Sequence, residues 1–134
     1  MKLFIDANVL FTAAYSPRGK ASLLIDTLHS IMVTSVYAAE EARRNILAKK
    51  PEALVAYETL IAKIEFVQSA QSGHCPIELP TKDQPIFLAA LKSGATHLLT
   101  GDLKDFGPHM NDPKRSGGIL IQTVNDFIES QLKS

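Results

Sequence analysis

Cysteine is nearly absent from the sequence, since Cys75 is the only one among 134 residues. A single cysteine excludes an internal disulfide and suits a reducing compartment. The chain also lacks any run close to the roughly 18 apolar residues that a membrane-spanning helix needs. Together these absences predict a soluble, cytoplasmic protein with no membrane partner.

Net charge is absent as well, because 14 lysines and arginines balance 14 aspartates and glutamates. A neutral chain gives no simple electrostatic argument for binding nucleic acid. The sum can hide a pattern, however. Four acids gathered around metal would leave the remaining surface basic by about four charges, enough to help hold a phosphate backbone.

What the sequence does contain is a core and an alternating pattern. With 134 residues and 46% hydrophobic content, it predicts one domain over residues 1–134. Short apolar runs predict strands at 3–5, 31–34, 64–67, 96–100 and 118–122. Helical spacing, caps and breakers predict helices at 8–15, 20–29, 36–48, 51–62, 81–93 and 124–132, with 68–80 and most of 101–117 as loop. This alternation predicts an α/β fold of three layers, α/β/α, with a mainly parallel central sheet.

Asp6 ends the first predicted strand. Leu3, Phe4 and Ile5 form the short apolar run typical of a buried parallel strand. The carboxylate would therefore lie at the C-terminal edge of the sheet, where α/β folds carry their binding sites. Asn8 could brace it through a hydrogen bond. An aspartate here is also a good N-cap for the next helix, and the residues leave both roles open.

Two glutamates, Glu40 and Glu41, lie on the helix after the second predicted strand. Glutamates on helices are mostly solvated surface residues. Helical spacing predicts an inner face made of Val36, Ala39, Ala42 and Ile46. Glu40 lies near the edge of that face and Glu41 roughly opposite it, so helical phase favours Glu40 as the inward acid.

Asp83 lies in the first turn of a predicted helix. It shares the core-facing stripe with Phe87, Ala90 and Leu91, at positions i+4, i+7 and i+8. A carboxylate buried there needs compensation by the helix dipole, a hydrogen bond or a cation. The alternative is an acid that is simply favoured at a helix N-terminus.

Two further acids, Asp102 and Asp105, follow the fourth predicted strand. Acids three residues apart, just past the C-terminal end of a strand, could both point into one cleft, while Phe106 packs this segment on the core. The alternative is an Asx turn at Asp102.

These acids share a position in the predicted fold, because each follows a strand or begins on a helix at the same side of a parallel sheet. Carboxylates gathered in one cleft repel each other unless protons or metal ions neutralise them. Oxygen ligands without histidine or cysteine at ligand spacing favour Mg²⁺ or Mn²⁺ over Zn²⁺. The pattern therefore indicates a divalent-metal site.

The same segments resemble the PIN-domain nucleases, a family that includes the VapC-type toxins of prokaryotic toxin–antitoxin pairs. The resemblance covers nearly the whole chain. It rests on Phe-Ile-Asp6-Ala-Asn8-Val-Leu, on Val-Thr-Ser35 followed six residues on by Glu41, on Lys-Asp83 leading into Phe-Leu-Ala-Ala, and on Leu-Leu-Thr100-Gly-Asp102-Leu-Lys-Asp105-Phe. Each segment alone occurs by chance, whereas all four in this order are fairly specific.

The resemblance implies roles for individual residues. The catalytic acids would be Asp6, Glu41, Asp83 and Asp102, of which Asp6, Asp83 and Asp102 would bind metal, with Asn8, Thr100 and Asp105 in support. It thus prefers Glu41, where helical phase favours Glu40. The glutamate doublet and the long segment after Phe106, residues 107–111, depart from the commoner toxin pattern.

The activity implied by the resemblance is Mg²⁺- or Mn²⁺-dependent hydrolysis of RNA that leaves a 5′-phosphate and a 3′-hydroxyl. It also implies a homodimer and, for a toxin, an antitoxin partner. Basic side chains near the predicted acids are candidate RNA contacts, namely Arg43, Arg44, Lys82, Lys104, Lys114 and Arg115. Basic residues in such places are more often merely solvated.

Two other classes of function remain open. A non-catalytic PIN-like module would bind RNA or a protein without cutting. A phosphoaspartyl phosphatase or receiver domain would also place an aspartate after a parallel strand. The phosphatase normally has Asp-x-Asp where this chain has Asp6-Ala-Asn8, and the receiver's acidic pair and later lysine are missing, so this class fits less well.

Overall fold

A computed structural model of the chain describes residues 1–70 and 73–133. The strands are β1 (Leu3–Ile5), β2 (Met32–Ser35), β3 (Glu65–Val67), β4 (His97–Leu99) and β5 (Leu120–Gln122). The α-helices are α1 (Ala7–Tyr15), α2 (Lys20–Leu28), α3 (Val36–Lys49), α4 (Leu54–Ile61), α5 (Gln84–Lys92), α6 (Leu103–Phe106) and α7 (Val124–Leu132). None of the helices in these two ranges is both long and apolar enough to cross a membrane.

The five strands form one sheet in the order β3-β2-β1-β4-β5, and every neighbouring pair is parallel. The central strand β1 is fully buried, which explains why its sequence is an unbroken apolar run. Helices flank this sheet: α1 packs against α2, α3 and α4, while α5 contacts β2 and β4. The predicted α/β fold with a mainly parallel sheet is confirmed, and the sheet is parallel throughout.

Buried apolar side chains on strands and helices alike join into one core. Its largest fully buried members include Phe4, Phe87, Phe106 and Phe127. Phe106 ties the segment after β4 to this core, as the sequence predicts. That anchor fixes the direction in which the chain leaves the C-terminal edge of β4.

The segment 101–117 is more regular than predicted, since it contains α6 and a 3-10 turn at Gly107–His109. The cause is Asp102, whose side chain accepts a hydrogen bond from the backbone N–H of Asp105 and so caps a four-residue helix. The predicted helix 81–93 also begins differently. Thr81–Asp83 is a 3-10 turn, and the α-helix starts at Gln84 with a proline in its first turn.

The predicted inner face of α3 is wrong in one residue. Val36 is 53% exposed, because it is the first helical residue at the rim of the sheet, whereas Ala38 is fully buried. Exchanging Val36 for Ala38 rotates the buried face, so that Glu40 is exposed and Glu41 is half-buried. Helical phase predicted that Glu40 is the more inward of the two glutamates, whereas in the structure Glu41 is the less exposed one.

Candidate acidic site

The acids converge at the C-terminal edge of β1 and β4, the two strands in the middle of the sheet. From β1 the chain crosses to β2 on one side, while from β4 it crosses to β5 on the other. Such a reversal opens a crevice between the two strands, and open α/β sheets bind their ligands there. Asp6 follows β1 directly, and Thr100 follows β4 directly.

Asp6 is almost completely buried, with 4% of its surface exposed. Its Oδ1 accepts a 2.7 Å hydrogen bond from the N–H of Ala7. Asp6 is therefore the N-cap of α1, which is one of the two roles that the sequence left open. Its Oδ2 faces the crevice and accepts hydrogen bonds from the Thr100 hydroxyl at 2.8 Å and from Asn8 Nδ2 at 3.2 Å. Asp6 therefore serves as a cap with one oxygen and belongs to the crevice with the other.

Thr100 and Asn8 connect Asp6 to the segment after β4. The Thr100 hydroxyl, which is fully buried, accepts from the backbone N–H of Asp102 at 3.1 Å and from Asn8 Nδ2 at 3.2 Å. Asn8 Oδ1 accepts from the N–H of Gly101 at 2.6 Å. These bonds fix Asp102 relative to Asp6 through one intervening side chain.

Three carboxylates, those of Asp83, Asp102 and Asp105, form the acidic cluster beside this network. One oxygen from each lies within 4.8 Å of the other two. Oxygens on opposite sides of an octahedral Mg²⁺ ion are about 4.2 Å apart, so a small inward movement would let all three bind one ion. The buried Oδ2 of Asp83 has no hydrogen-bond partner among the described residues, which leaves it available as such a ligand.

The carboxyl groups are hard to ionise together. Burial raises the pKa of Asp6 to about 6, although the hydrogen bonds from Thr100 and Ala7 oppose that rise. Burial also raises the pKa of Asp83 to about 7, and the neighbouring carboxyl of Asp105 adds to the effect. The pKa of Asp105 is lowered, chiefly by its hydrogen bond with Asp83. A proton on Asp83, or a cation between Asp83 and Asp105, would relieve this repulsion.

Glu41 and Glu40 act on different neighbours. The charge of Glu41 contributes to the raised pKa of Asp6, so this half-buried side chain lies within electrostatic range of the crevice. The charge of Glu40 instead contributes to the raised pKa of Tyr57 on α4, a rise to about 12 that is caused mainly by burial. The charge of Glu41 thus acts on the acids of the crevice, whereas the charge of Glu40 acts on α4.

Of the candidate RNA contacts, two lie beside the acidic cluster and the others lie elsewhere on the surface. Lys82 Nζ lies 3.8 Å from Asp105 Oδ2, and the charge of Lys104 also helps to lower the pKa of Asp105, so both lysines flank the acidic cluster. Arg43 and Arg44 are exposed, and the charge of Arg43 acts on Tyr57 rather than on the cluster. Lys114 and Arg115 are exposed in the segment before β5.

The structure shows two features that the sequence analysis did not rank. Asp105, predicted only as a supporting residue, belongs to the acidic cluster, whereas Asp6 lies one hydrogen-bonded side chain away from it. Tyr37, at the start of α3, donates a 2.8 Å hydrogen bond from its hydroxyl to the carbonyl of Lys82 and so holds the turn that carries Asp83. Nothing in the local sequence pairs residues 45 positions apart.

Solved structures with this fold include VapC and VapBC proteins. VapBC from Salmonella typhimurium, solved bound to DNA, superposes with a TM-score of 0.68 at 17% identity, over 92% of this chain and 98% of that one. VapBC2 from Rickettsia felis, bound to a DNA fragment from its promoter, superposes with a TM-score of 0.65 at 15% identity, over 92% of this chain and 98% of that one.

A third similar structure is Mycobacterium tuberculosis VapC20, a toxin that cleaves the sarcin-ricin loop. It gives a TM-score of 0.62 at 14% identity over 81% of this chain and 95% of that one. No protein-family profile matches the chain, and no curated protein sequence matches it. The resemblance to PIN-domain, VapC-type proteins is therefore confirmed at the level of the fold.

Proposed function

We propose that this chain, which has the PIN-domain fold of VapC-type toxins, is a divalent-metal-dependent ribonuclease. The observation that carries the proposal is the acidic cluster of Asp83, Asp102 and Asp105, which is linked through Thr100 to buried Asp6. Four carboxylates so close together at a sheet crevice are costly for folding unless they bind a cation. Their purely oxygen donor set suits Mg²⁺ or Mn²⁺.

In this proposal the acids have separate tasks. Asp83, Asp102 and Asp105 would hold the ion, and Asp6 and Glu41 would supply further negative charge beside it. A bound divalent ion would orient the scissile phosphate and lower the pKa of the attacking water. Thr100 and Asn8 position Asp6 and Asp102, while Lys82 and Lys104 offer positive charge to the RNA backbone beside the acids.

The test is cleavage of a labelled single-stranded RNA in Mg²⁺, in Mn²⁺ and in EDTA. We expect cleavage with either metal and none in EDTA. Asp6→Asn and Asp83→Asn should each abolish it while circular dichroism shows a folded protein. Asp26→Asn is the matched control, because Asp26 lies on α2 in an exposed ion pair with Lys63. RNA binding that persists in EDTA without any cleavage in Mn²⁺ would instead indicate the non-catalytic module.

An antitoxin partner is part of the same proposal. Four of the similar structures are VapBC or VapC proteins by name, and two of these four were solved with DNA. Co-expression with the product of a neighbouring gene tests this point: an antitoxin should copurify with the chain and stop RNA cleavage. Copurification without inhibition would contradict the toxin assignment but not the nuclease.

A homodimer is also proposed. Several large apolar side chains on the helices are exposed in the monomer, among them Leu23 at 66%, Leu47 at 40% and Val55 at 75%. Exposed apolar groups of this kind favour association with another copy. Light scattering coupled to size exclusion should give twice the mass of 14.6 kDa.

A further inference from the structure

A cavity of about 600 Å³ opens beside the acidic site, and no part of the proposed chemistry uses it. Asn8, Thr100 and Gly101 form one of its walls. Because Asn8 and Thr100 also hold Asp6, the cavity and the acidic site share that wall. The remaining walls come from α1 and from the N-terminal ends of α2 and α7.

The lining combines an apolar surface with a polar rim. Val9, Ala21 and Val124 supply the apolar surface. At the rim, Lys20 Nζ on α2 lies 3.1 Å from Asn125 Oδ1 on α7, so the two helices meet across the opening. An ammonium group has three donors, and this contact uses one of them. The chemistry suits a largely apolar group that carries hydrogen-bonding atoms and has an anion next to it.

The electrostatics of the cavity oppose those of the acidic site. Lys20 is the one charged side chain among the described lining residues, and none of them is acidic. The helices α2 and α7, each of nine residues, both direct their N-terminal ends to the lining. The end of α2 has no acidic residue in its first turn and carries partial positive charge, whereas Asp126 in the first turn of α7 offsets the charge of that end. An anionic ligand is therefore favoured in the cavity and disfavoured among the carboxylates beyond Asn8.

We infer that this cavity binds one nucleotide of single-stranded RNA, the nucleotide next to the phosphodiester that is cut at the acidic site. The position relative to the cut rests on the proposed ribonuclease function. The volume lies in the range of about 300–1,000 Å³ that is usual for small-ligand pockets. Unpaired bases can be splayed out and held by apolar contacts and edge hydrogen bonds. The cavity would then set the base preference of cleavage.

A matched pair of tryptophan variants tests the cavity. Thr12 is an exposed residue of α1 that lines the cavity, so Thr12→Trp should fill it without disturbing the core. Thr27 is exposed on α2 and does not line the cavity, so Thr27→Trp is the control. A second pair, Lys20→Gln and Lys63→Gln, removes positive charge at the rim or away from it while leaving the cavity open.

The first measurement is made in EDTA and needs no cleavage. Each of the four ribonucleoside 5′-monophosphates is titrated into isotopically labelled protein and followed by NMR. We expect saturable shifts at Gly101 and at the side-chain amides of Asn8 and Asn125 with at least one nucleotide. These shifts should vanish in Thr12→Trp, weaken several-fold in Lys20→Gln, and persist in Thr27→Trp and Lys63→Gln. Absent shifts, or shifts unchanged in Thr12→Trp, would overturn the inference.

The second measurement uses a random single-stranded RNA pool in Mn²⁺. We expect wild-type cut sites to favour one base beside the cut, and Thr12→Trp to lower kcat/KM about tenfold or more and flatten that preference, unlike Thr27→Trp. Nucleotide binding that Thr12→Trp removes, in a protein that cuts no RNA, would keep the cavity and reject the ribonuclease. If Thr12→Trp changes neither cleavage nor base preference, the ribonuclease is kept and the role of the cavity is rejected.

Discussion

The hydroxyl group of Thr100 donates a 2.8 Å hydrogen bond to Oδ2 of Asp6, joining the ends of the two central strands across the crevice. The two residues are 94 positions apart in sequence. Because the same hydroxyl accepts the N–H of Asp102, one buried side chain holds two acids in a fixed relation. The geometry of the acidic site thus depends on a residue that carries no charge.

Replacement of Thr100 by valine should therefore impair function out of proportion to its effect on stability. The variant leaves Asp6 without its shortest bond to a side chain and Asp102 N–H without its acceptor, at a cost of about 1–3 kcal/mol. We expect RNA cleavage to fall at least about tenfold.

Thr34→Val is the matched control for Thr100→Val. Thr34 is equally buried, and its hydroxyl donates a 2.8 Å hydrogen bond to the carbonyl of Ile5 on the same sheet. Urea unfolding should show similar losses of stability in the two variants, with cleavage retained only in Thr34→Val. Equal cleavage by both variants would contradict the positioning role of Thr100.

The stability of the metal-free protein should fall as pH rises. Both Asp6, with a pKa of about 6, and Asp83, with a pKa of about 7, are harder to ionise in the folded chain than in the unfolded one. Stability that is fully present below the unfolded pKa of 3.8 is therefore lost progressively as pH rises to about 6 for Asp6 and about 7 for Asp83. For Asp6 the change is about 3 kcal/mol, since one pKa unit corresponds to about 1.4 kcal/mol.

Thermal melts in EDTA at pH 5 and pH 8 measure this effect. About half of the Asp6 contribution, roughly 1.4 kcal/mol, is lost between these two pH values, which corresponds to roughly 5 °C in Tm. Asp6→Asn removes the titrating group, so its melts should differ less between the two pH values than those of the wild type. An identical pH dependence in the two proteins would show that Asp6 is not the group responsible.

The two glutamates should separate in their effects on activity. Glu41→Gln removes a charge that acts on Asp6, and we expect at least about a tenfold loss of cleavage. Glu40→Gln changes a residue directed toward Tyr57, so its cleavage should stay within about twofold of wild type. A larger loss in Glu40→Gln than in Glu41→Gln would reverse the assignment made from the structure.

The Tyr37 hydroxyl should matter for activity more than for stability. Tyr37→Phe removes the bond that holds the turn before α5, and because this bond is exposed the stability cost should be small. We expect a several-fold loss of cleavage. Tyr57→Phe is the contrasting variant, because the buried Tyr57 hydroxyl donates a 2.6 Å hydrogen bond to the carbonyl of Ala39. Loss of this bond should lower the stability to unfolding and leave cleavage unchanged. Unfolding in urea and RNA cleavage together distinguish the two.

Strong local signals made much of the fold predictable. The strand at 3–5 is an unbroken apolar run that is buried on both faces, and α7 matches its predicted bounds because Thr123 caps an amphipathic stretch. The helix α6 was missed because it has only four residues and depends on one side-chain cap. On α3, the buried face includes Ala38, because the predicted face was placed on Val36 instead and was therefore rotated.

The sequence indicated the acids individually but not how they are arranged, and their catalytic and metal-binding roles stay predictions. Sequence indicated the acids because each lies at a strand end or a helix start. It could not rank Asp105 against Asp6, since their distances to Asp83 depend on how α5 and α6 pack. The cavity could not be predicted from the sequence, because Lys20 and Asn125 are 105 positions apart and meet only when α2 and α7 pack together.

The central claim is that the acidic cluster binds a divalent cation. The most direct measurement is the anomalous difference map of a crystal soaked in Mn²⁺. We predict a peak within about 2.2 Å of carboxylate oxygens from Asp83, Asp102 and Asp105, and its loss in Asp83→Asn crystals. A map without a peak among these three side chains, or one whose peak survives Asp83→Asn unchanged, would contradict the account.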